Sequence, residues 1–114
     1  VYSKKSFYTS AIGHCEKALL IDPEGIEVMN RLAWLYAKKR TRIDRGLGLI
    51  KTVNKMQPNS PKYIDTLSEL LFAKGDVIGA IKTIKDAIRL DPDNQYYKQQ
   101  MRRFEAFSSD SFDD

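Results

Sequence analysis

The stretch AIKTIKDAIRLDP, from Ala80 to Pro92, decides the fold. It sets a small residue at Ala80, an aliphatic one at Ile84, a second small one at Ala87 and a proline at Pro92. The same spacing occurs twice before it. AIGHCEKALLIDP carries Ala11, Cys15, Ala18 and Pro23, and GLGLIKTVNKMQP carries Gly46, Ile50, Val53 and Pro58. The prolines lie 35 and 34 residues apart, which marks units that stack into a solenoid. Within each stretch the spaced residues share one helical face. Short side chains there let two helices approach closely while the larger one fills the gap between them. Proline then stops the helix, because it lacks the N–H and clashes with the preceding turn.

Each such helix is the second of a pair. The first helices are predicted ahead of it, with Leu32-Ala33 and Tyr36 on one face in one unit and Leu67-Ser68 and Leu71 in the next. Ser60-Pro61 reads as a helix start, with serine as cap and proline at the first helical position. Gly75-Asp76 reads as the end of one helix and the cap of the next, and Thr41-Arg42-Ile43-Asp44 as a capping-box variant doing the same work. The turn of the earlier unit holds one extra residue: Tyr36 to Gly46 is ten places, Leu71 to Ala80 nine. Ser6 is expected to cap a helix from about Phe7 to Leu20, and Val1-Tyr2 reads as the last remnant of a helix before it. Asp93-Asn94 can cap a final helix from Gln95 to Phe107 whose polar surface would close the stack. The division expected is a partial repeat at 1–25, repeats at 26–60 and 61–94, a capping helix at 95–107 and an acidic, flexible tail at 108–114, all in one domain.

This pattern resembles the tetratricopeptide repeat (TPR). Pro61 to Asn94 matches best, with Leu67, Ala80, Ala87 and Pro92 in place, and Ile26 to Ser60 matches with Leu32, Ala33, Tyr36, Gly46 and Pro58. The departures are Ser68 at a position usually Gly or Ala, Ile64 and Met29 where tryptophan is common, and Val53 in place of alanine. The resemblance implies an all-α fold, a right-handed superhelical solenoid of antiparallel helix pairs. First helices would line a concave groove that binds peptides or partner segments, and no catalytic residues would be present.

Composition is compatible with this. A hydrophobic content of 42% over 114 residues can build an ordinary core, and no apolar run is long enough for a membrane helix. One cysteine and one histidine cannot form an internal disulfide or a structural zinc site, so no metal or other cofactor is expected. Cys15 falls in a central packing slot and His14 beside it points outward. Net charge is +4, with three aspartates in the last seven residues, so the body is basic and can attract an acidic partner or its own tail. The compartment is not readable.

On the resemblance, the groove residues are Asn30, Trp34 and Lys38 in one unit, Lys62, Asp65, Glu69 and Phe72 in the next, and Arg103 beside Tyr96 and Gln99 on the last helix. Trp34 and Phe72 are the candidate anchors, since aromatics in a desolvated groove make hot spots. The alternative for both is a place in the core. The family's clamp for C-terminal carboxylates is not matched: Asn30 alone fits it, and Asp65 and Glu69 instead predict contact with a mixed-charge or basic ligand. No paired base, metal set, phosphate loop or nucleophile motif accompanies these carboxylates, so no catalysis is expected. The function expected is a protein–protein interaction module, cut from a larger chain, that binds a partner segment in the groove. The alternatives are a nucleic-acid or acidic-partner contact through the basic turn at 38–45, or a structural spacer. Nucleic acid is disfavoured because no aromatics interleave with Lys38, Lys39, Arg40, Arg42 and Arg45. Self-association is expected through an exposed face of the first helix carrying Phe7, Ile12, Cys15 and Leu19.

Overall fold

The computed structural model describes residues 4–113, with side chains as far as Ser108. The six helices are α1 (Lys4–Ile21), α2 (Ile26–Lys39), α3 (Ile43–Met56), α4 (Pro61–Lys74), α5 (Val77–Leu90) and α6 (Gln95–Asp113), and no strand occurs among the described residues. Each helix packs on the next, and α2 also packs on α4. The chain therefore builds two layers, with α2, α4 and α6 in one and α1, α3 and α5 in the other.

The repeated small positions sit where helices nest. Ala80, Ile84 and Ala87 are fully buried against Tyr97 and Phe104 of α6. Gly46 is buried where α3 meets both neighbours: a Cβ there would lie 2.7 Å from Leu70 Cδ2 and 3.5 Å from Tyr36 Cβ. Ile50 and Val53 continue that face into a core with Met29, Ala33 and Leu70. Burying a large apolar side chain contributes about 1.5–3 kcal/mol, so these slots dominate the fold. Ser68 takes the small slot on α4 at no polar cost, because its hydroxyl donates to the Asp65 carbonyl at 2.6 Å.

Three of the four prolines stand two residues beyond a helix, Pro23 after α1, Pro58 after α3 and Pro92 after α5. Asp76 caps α5 by accepting from the Gly79 amide at 2.8 Å, and Asn94 caps α6 by accepting from the Tyr96 amide at 2.9 Å.

Several expected starts and ends differ. α1 begins at Lys4, so Ser6 lies inside it and is not its cap. The remnant read at Val1-Tyr2 lies outside the described residues. Ser60 holds the N-cap position of α4, but its hydroxyl makes no capping bond; Pro61 alone sets the first turn. α6 runs past Phe107 to Asp113 instead of giving way to a loose tail. Phe107 packs edge-on against Phe72 at 5.3 Å, and no Gly or Pro follows to break the helix. On α1, Ile12 and Cys15 are not exposed. They are buried against Leu32, Leu35 and Tyr36 of α2, and only Phe7 of the expected apolar face is largely open.

The capping box expected at Thr41 does not form. Residue 42 holds the N-cap of α3 with no side-chain bond. The extra turn residue is instead absorbed by two left-handed residues, Arg40 (φ 57°) and Arg42 (φ 48°). The amides of Arg40 and Thr41 bond the carbonyls of Ala37 and Tyr36, just as those of Gly75 and Asp76 bond Phe72 and Leu71 one unit later. Arg40 thus occupies the slot that Gly75 fills, at the steric cost of a Cβ in the left-handed region. Arg40→Gly is expected to raise stability by about 0.5–1 kcal/mol in denaturant unfolding, since glycine removes that cost. A fall in stability would contradict this assignment of the turn.

Candidate functional site

The layer of α2, α4 and α6 carries one cavity and borders a second that α1 helps to wall, and its polar centre is Glu69. The register of α4 turns Asp65 and Glu69, one turn apart, toward the neighbouring helices. Both are buried. The Glu69 carboxylate accepts from Lys38 of α2 at 3.3 Å and, at the same Oε1, from Gln100 and Arg103 of α6. Asp65 accepts from the Gln100 amide at 3.2 Å. One side chain of α4 therefore ties together all three helices of the layer. Lys38 also lies over the Trp34 ring at 5.3 Å, and the Arg103 guanidinium lies over Phe72 and Phe104 at 5.1 and 5.2 Å.

Burial acts on both carboxyl groups, and their partners set them apart. Burial pushes the Asp65 carboxyl up to about 6; the Gln100 bond opposes this and the Glu69 charge adds to it. Burial would also raise Glu69, but bonds from Arg103 and Gln100 and the charge of Lys38 outweigh it and hold the group below its ordinary value. The phenol of Tyr96 is pushed up to about 12 by burial and by the charges of Asp65 and Glu69.

The larger cavity, about 470 Å³, opens between α1, α2 and the start of α4. Phe7, Ala11, Trp34 and Leu35 form its apolar wall, and Glu27, Asn30, Arg31 and Lys62 its polar side. Trp34 is half-buried and meets Tyr8 edge-on at 6.2 Å, so it belongs partly to the packing and partly to the cavity. The Asn30 Oδ1 is buried with no hydrogen-bond partner among the described residues. Lys62 is exposed and bonds Glu27 at 3.0 Å, an acid that also accepts from Tyr63 at 2.6 Å. The smaller cavity, about 140 Å³, is lined by Lys38, Arg40, Glu69, Phe72 and Arg103 with two alanines.

The expected groove residues thus fall into three groups. Asn30, Trp34 and Lys62 line the first cavity; Lys38, Glu69, Phe72 and Arg103 line the second. Asp65 lines neither, being covered by Gln100. Phe72 is half-buried and stacks on Phe104 at 4.7 Å, so much of its surface is spent inside the layer. Asp65 and Glu69 are bonded within the protein and are not presented to a basic ligand. Gln100, and not Gln99, makes the contact from α6. The register carries no signal that separates them: 34 places before Gln100 stands Thr66 and 34 before Gln99 stands Asp65, and both are buried. The basic turn does not form one patch. Lys38 and Arg40 face the second cavity, while Lys39 and Arg42 line a third one of about 360 Å³, where Arg42 bonds Glu16 at 2.6 Å. Cys15 is buried, and burial pushes its thiol up.

No family model and no curated protein matches the sequence. Solved structures do match the fold. MamA (residues 41 to the end) from Desulfovibrio magneticus RS-1 superposes with a TM-score of 0.77 at 18% identity over 90% of this chain, which spans 58% of that one. MamA AMB-1 gives 0.62 at 22% identity over 83% of this chain and 60% of its own. A mutant O-GlcNAc transferase from Thermobaculum terrenum gives 0.71 at 17% identity over 91% of this chain, but only 23% of the transferase. These likenesses establish an all-helical, TPR-like solenoid.

The carboxyl pair generates a pH dependence. Asp65 holds its proton more tightly in the fold than in the unfolded chain. Its contribution to stability is therefore full below the ordinary carboxylate range and lost as pH rises through about 6. Glu69 acts oppositely, its contribution fading as pH falls through its lowered value. Asp65→Asn keeps an oxygen for Gln100 and removes the charge. It is expected to be more stable than the parent at pH 8, by on the order of 2 kcal/mol, and to converge with it near pH 4. Urea titrations at both pH values check this, and an equal difference at both would contradict it.

Proposed function

We propose that this protein is a non-catalytic interaction module that binds a segment of a partner protein along the α2–α4–α6 layer. On this reading residues 26–60 and 61–94 are the complete repeats, 1–25 a partial one and 95–107 the closing helix. The observation that carries the reading is the cavity of about 470 Å³ with Trp34 in its wall. A tryptophan held at one edge by Tyr8 and open at the other offers a large rigid surface at little entropic cost. Arg31 and the Lys62–Glu27 pair at its edge give polar groups that fix orientation, the usual mixture in a recognition cleft.

Two other readings draw less support. The split of the basic turn into two faces removes the continuous cationic track that a nucleic-acid backbone needs. Self-association through the expected face of α1 rests on Phe7 and the partly covered Leu19, since Ile12 and Cys15 are buried.

Selection of a random peptide display library on the immobilised protein tests the proposal. Trp34→Ala is expected to weaken the selected peptides by about tenfold or more, equal to ~1.4 kcal/mol, while the fold is retained by circular dichroism. Ligands indifferent to Trp34→Ala would place binding elsewhere, and a failure to select any ligand would favour a spacer.

A further inference from the structure

The second cavity has a charge that its buried acid does not balance. Three cations, Lys38 from α2, Arg40 from the turn and Arg103 from α6, line it with one carboxylate, that of Glu69; Asp65, behind Gln100, offsets one more charge when ionised and still leaves the cations in excess. Glu69 is almost wholly enclosed, while the side chains of Lys38 and Arg103 remain 24% and 43% accessible. Lysine offers three donors and arginine five, and Glu69 accepts only one from each. Arg103 also lies over Phe72 and Phe104, which narrows its orientations before any ligand arrives. Arg40 is exposed, and no hydrogen bond or ion pair engages its side chain among the described residues.

We propose that this cavity receives an internal Asp or Glu side chain of an acidic partner segment, with a neighbouring apolar residue of that segment resting on Phe72. The inference deepens the groove reading by naming the partner's chemistry, and rests on it. The argument is charge complementarity in a preorganised pocket. Glu69 fixes two cations at the cost of neutralising one charge, and the excess is offered to an incoming anion. A basic segment would meet that excess as repulsion. The volume of about 140 Å³ suits one carboxyl-bearing side chain. A nucleic-acid strand carries a phosphate every ~3.4 Å and gains from a line of cations. Lys39 and Arg42, which could extend such a line, lie on the other side of the turn with Glu16.

Fluorescence anisotropy with defined probes tests this. The probes are a peptide of four Glu-Glu-Leu units, acetylated and amidated so that no terminal carboxylate is present, its Gln-Gln-Leu and Lys-Lys-Leu counterparts, and a thymidine oligonucleotide of similar length. The glutamate peptide is expected to bind best. Arg40→Glu is expected to weaken it by about tenfold or more. Lys85→Glu, the same charge change on the exposed side of α5, is expected to leave affinity within about twofold. Arg40→Gln gives a milder variant should Arg40→Glu disturb the turn, and is expected to lose several-fold. Equal losses in Arg40→Glu and Lys85→Glu would reduce the effect to net charge and overturn the proposal. So would oligonucleotide binding as tight and as dependent on Arg40, or a glutamine peptide binding as well as the glutamate one. Library ligands that need Trp34 but show no acidic excess would leave the groove reading standing and overturn this inference alone.

Discussion

The fold depends on how closely α3 can approach α2 and α4, and Gly46 sets that distance. A methyl group at this position would intrude on Leu70, whose side chain is itself fully enclosed. Ala80 obeys the same rule, enclosed beneath α6, whereas Ala11 at the equivalent place on α1 is only partly buried and lines the larger cavity. Close-packed interiors tolerate little change in volume, so one small residue per unit fixes the spacing of the rods and hence of everything mounted on them. The two-layer arrangement then follows, because each second helix must lie in the notch between two first helices.

That spacing places the polar features of the α2–α4–α6 layer. Glu69 can accept from Lys38 on one side and from Gln100 and Arg103 on the other only because α2 and α6 flank α4. A buried carboxylate is costly unless it is paired and hydrogen-bonded, and this one is both. The arrangement has a consequence at the surface. Cations that would otherwise wave in solvent are pinned by an acid beneath them, and aromatic rings hold their flanks. The result is a face with held positive groups beside a partly apolar cavity, and the proposal of partner recognition starts from it.

The architecture was legible in the sequence because nesting leaves a periodic trace. The spacing at Ala80, Ile84, Ala87 and Pro92 repeats twice upstream, and all three residues of its helix face proved buried. The extra residue between Tyr36 and Gly46 was equally countable. What was not legible was how the backbone absorbs it. A left-handed arginine competes with a capping threonine through small energy differences that no single residue type announces. The state of Asp65 and Glu69 was also hidden. Two acids one turn apart on a polar face look solvated until α6 is laid across them, and whether it covers them depends on which glutamine, Gln99 or Gln100, turns inward. Counting back 34 places does not choose between them, since it leads from Gln100 to Thr66 and from Gln99 to Asp65, both of them buried. The tail misled for a related reason, since its polar composition carries no record of Phe107 anchoring the helix on Phe72.

The central claim, that close approach at the small positions holds the stack together, is most directly tested by comparing two glycines of the same helix. Gly46 faces Leu70 and Tyr36, whereas Gly48 is exposed, with nothing within 4 Å of the place a methyl group would take. Alanine gains about 1 kcal/mol of helix propensity over glycine at either site. Equilibrium unfolding in urea should find Gly48→Ala more stable than the parent and Gly46→Ala less stable, with the loss from overpacking exceeding the gain. Equal stabilisation of the two variants would show that α3 is not held at contact distance, and would contradict the account.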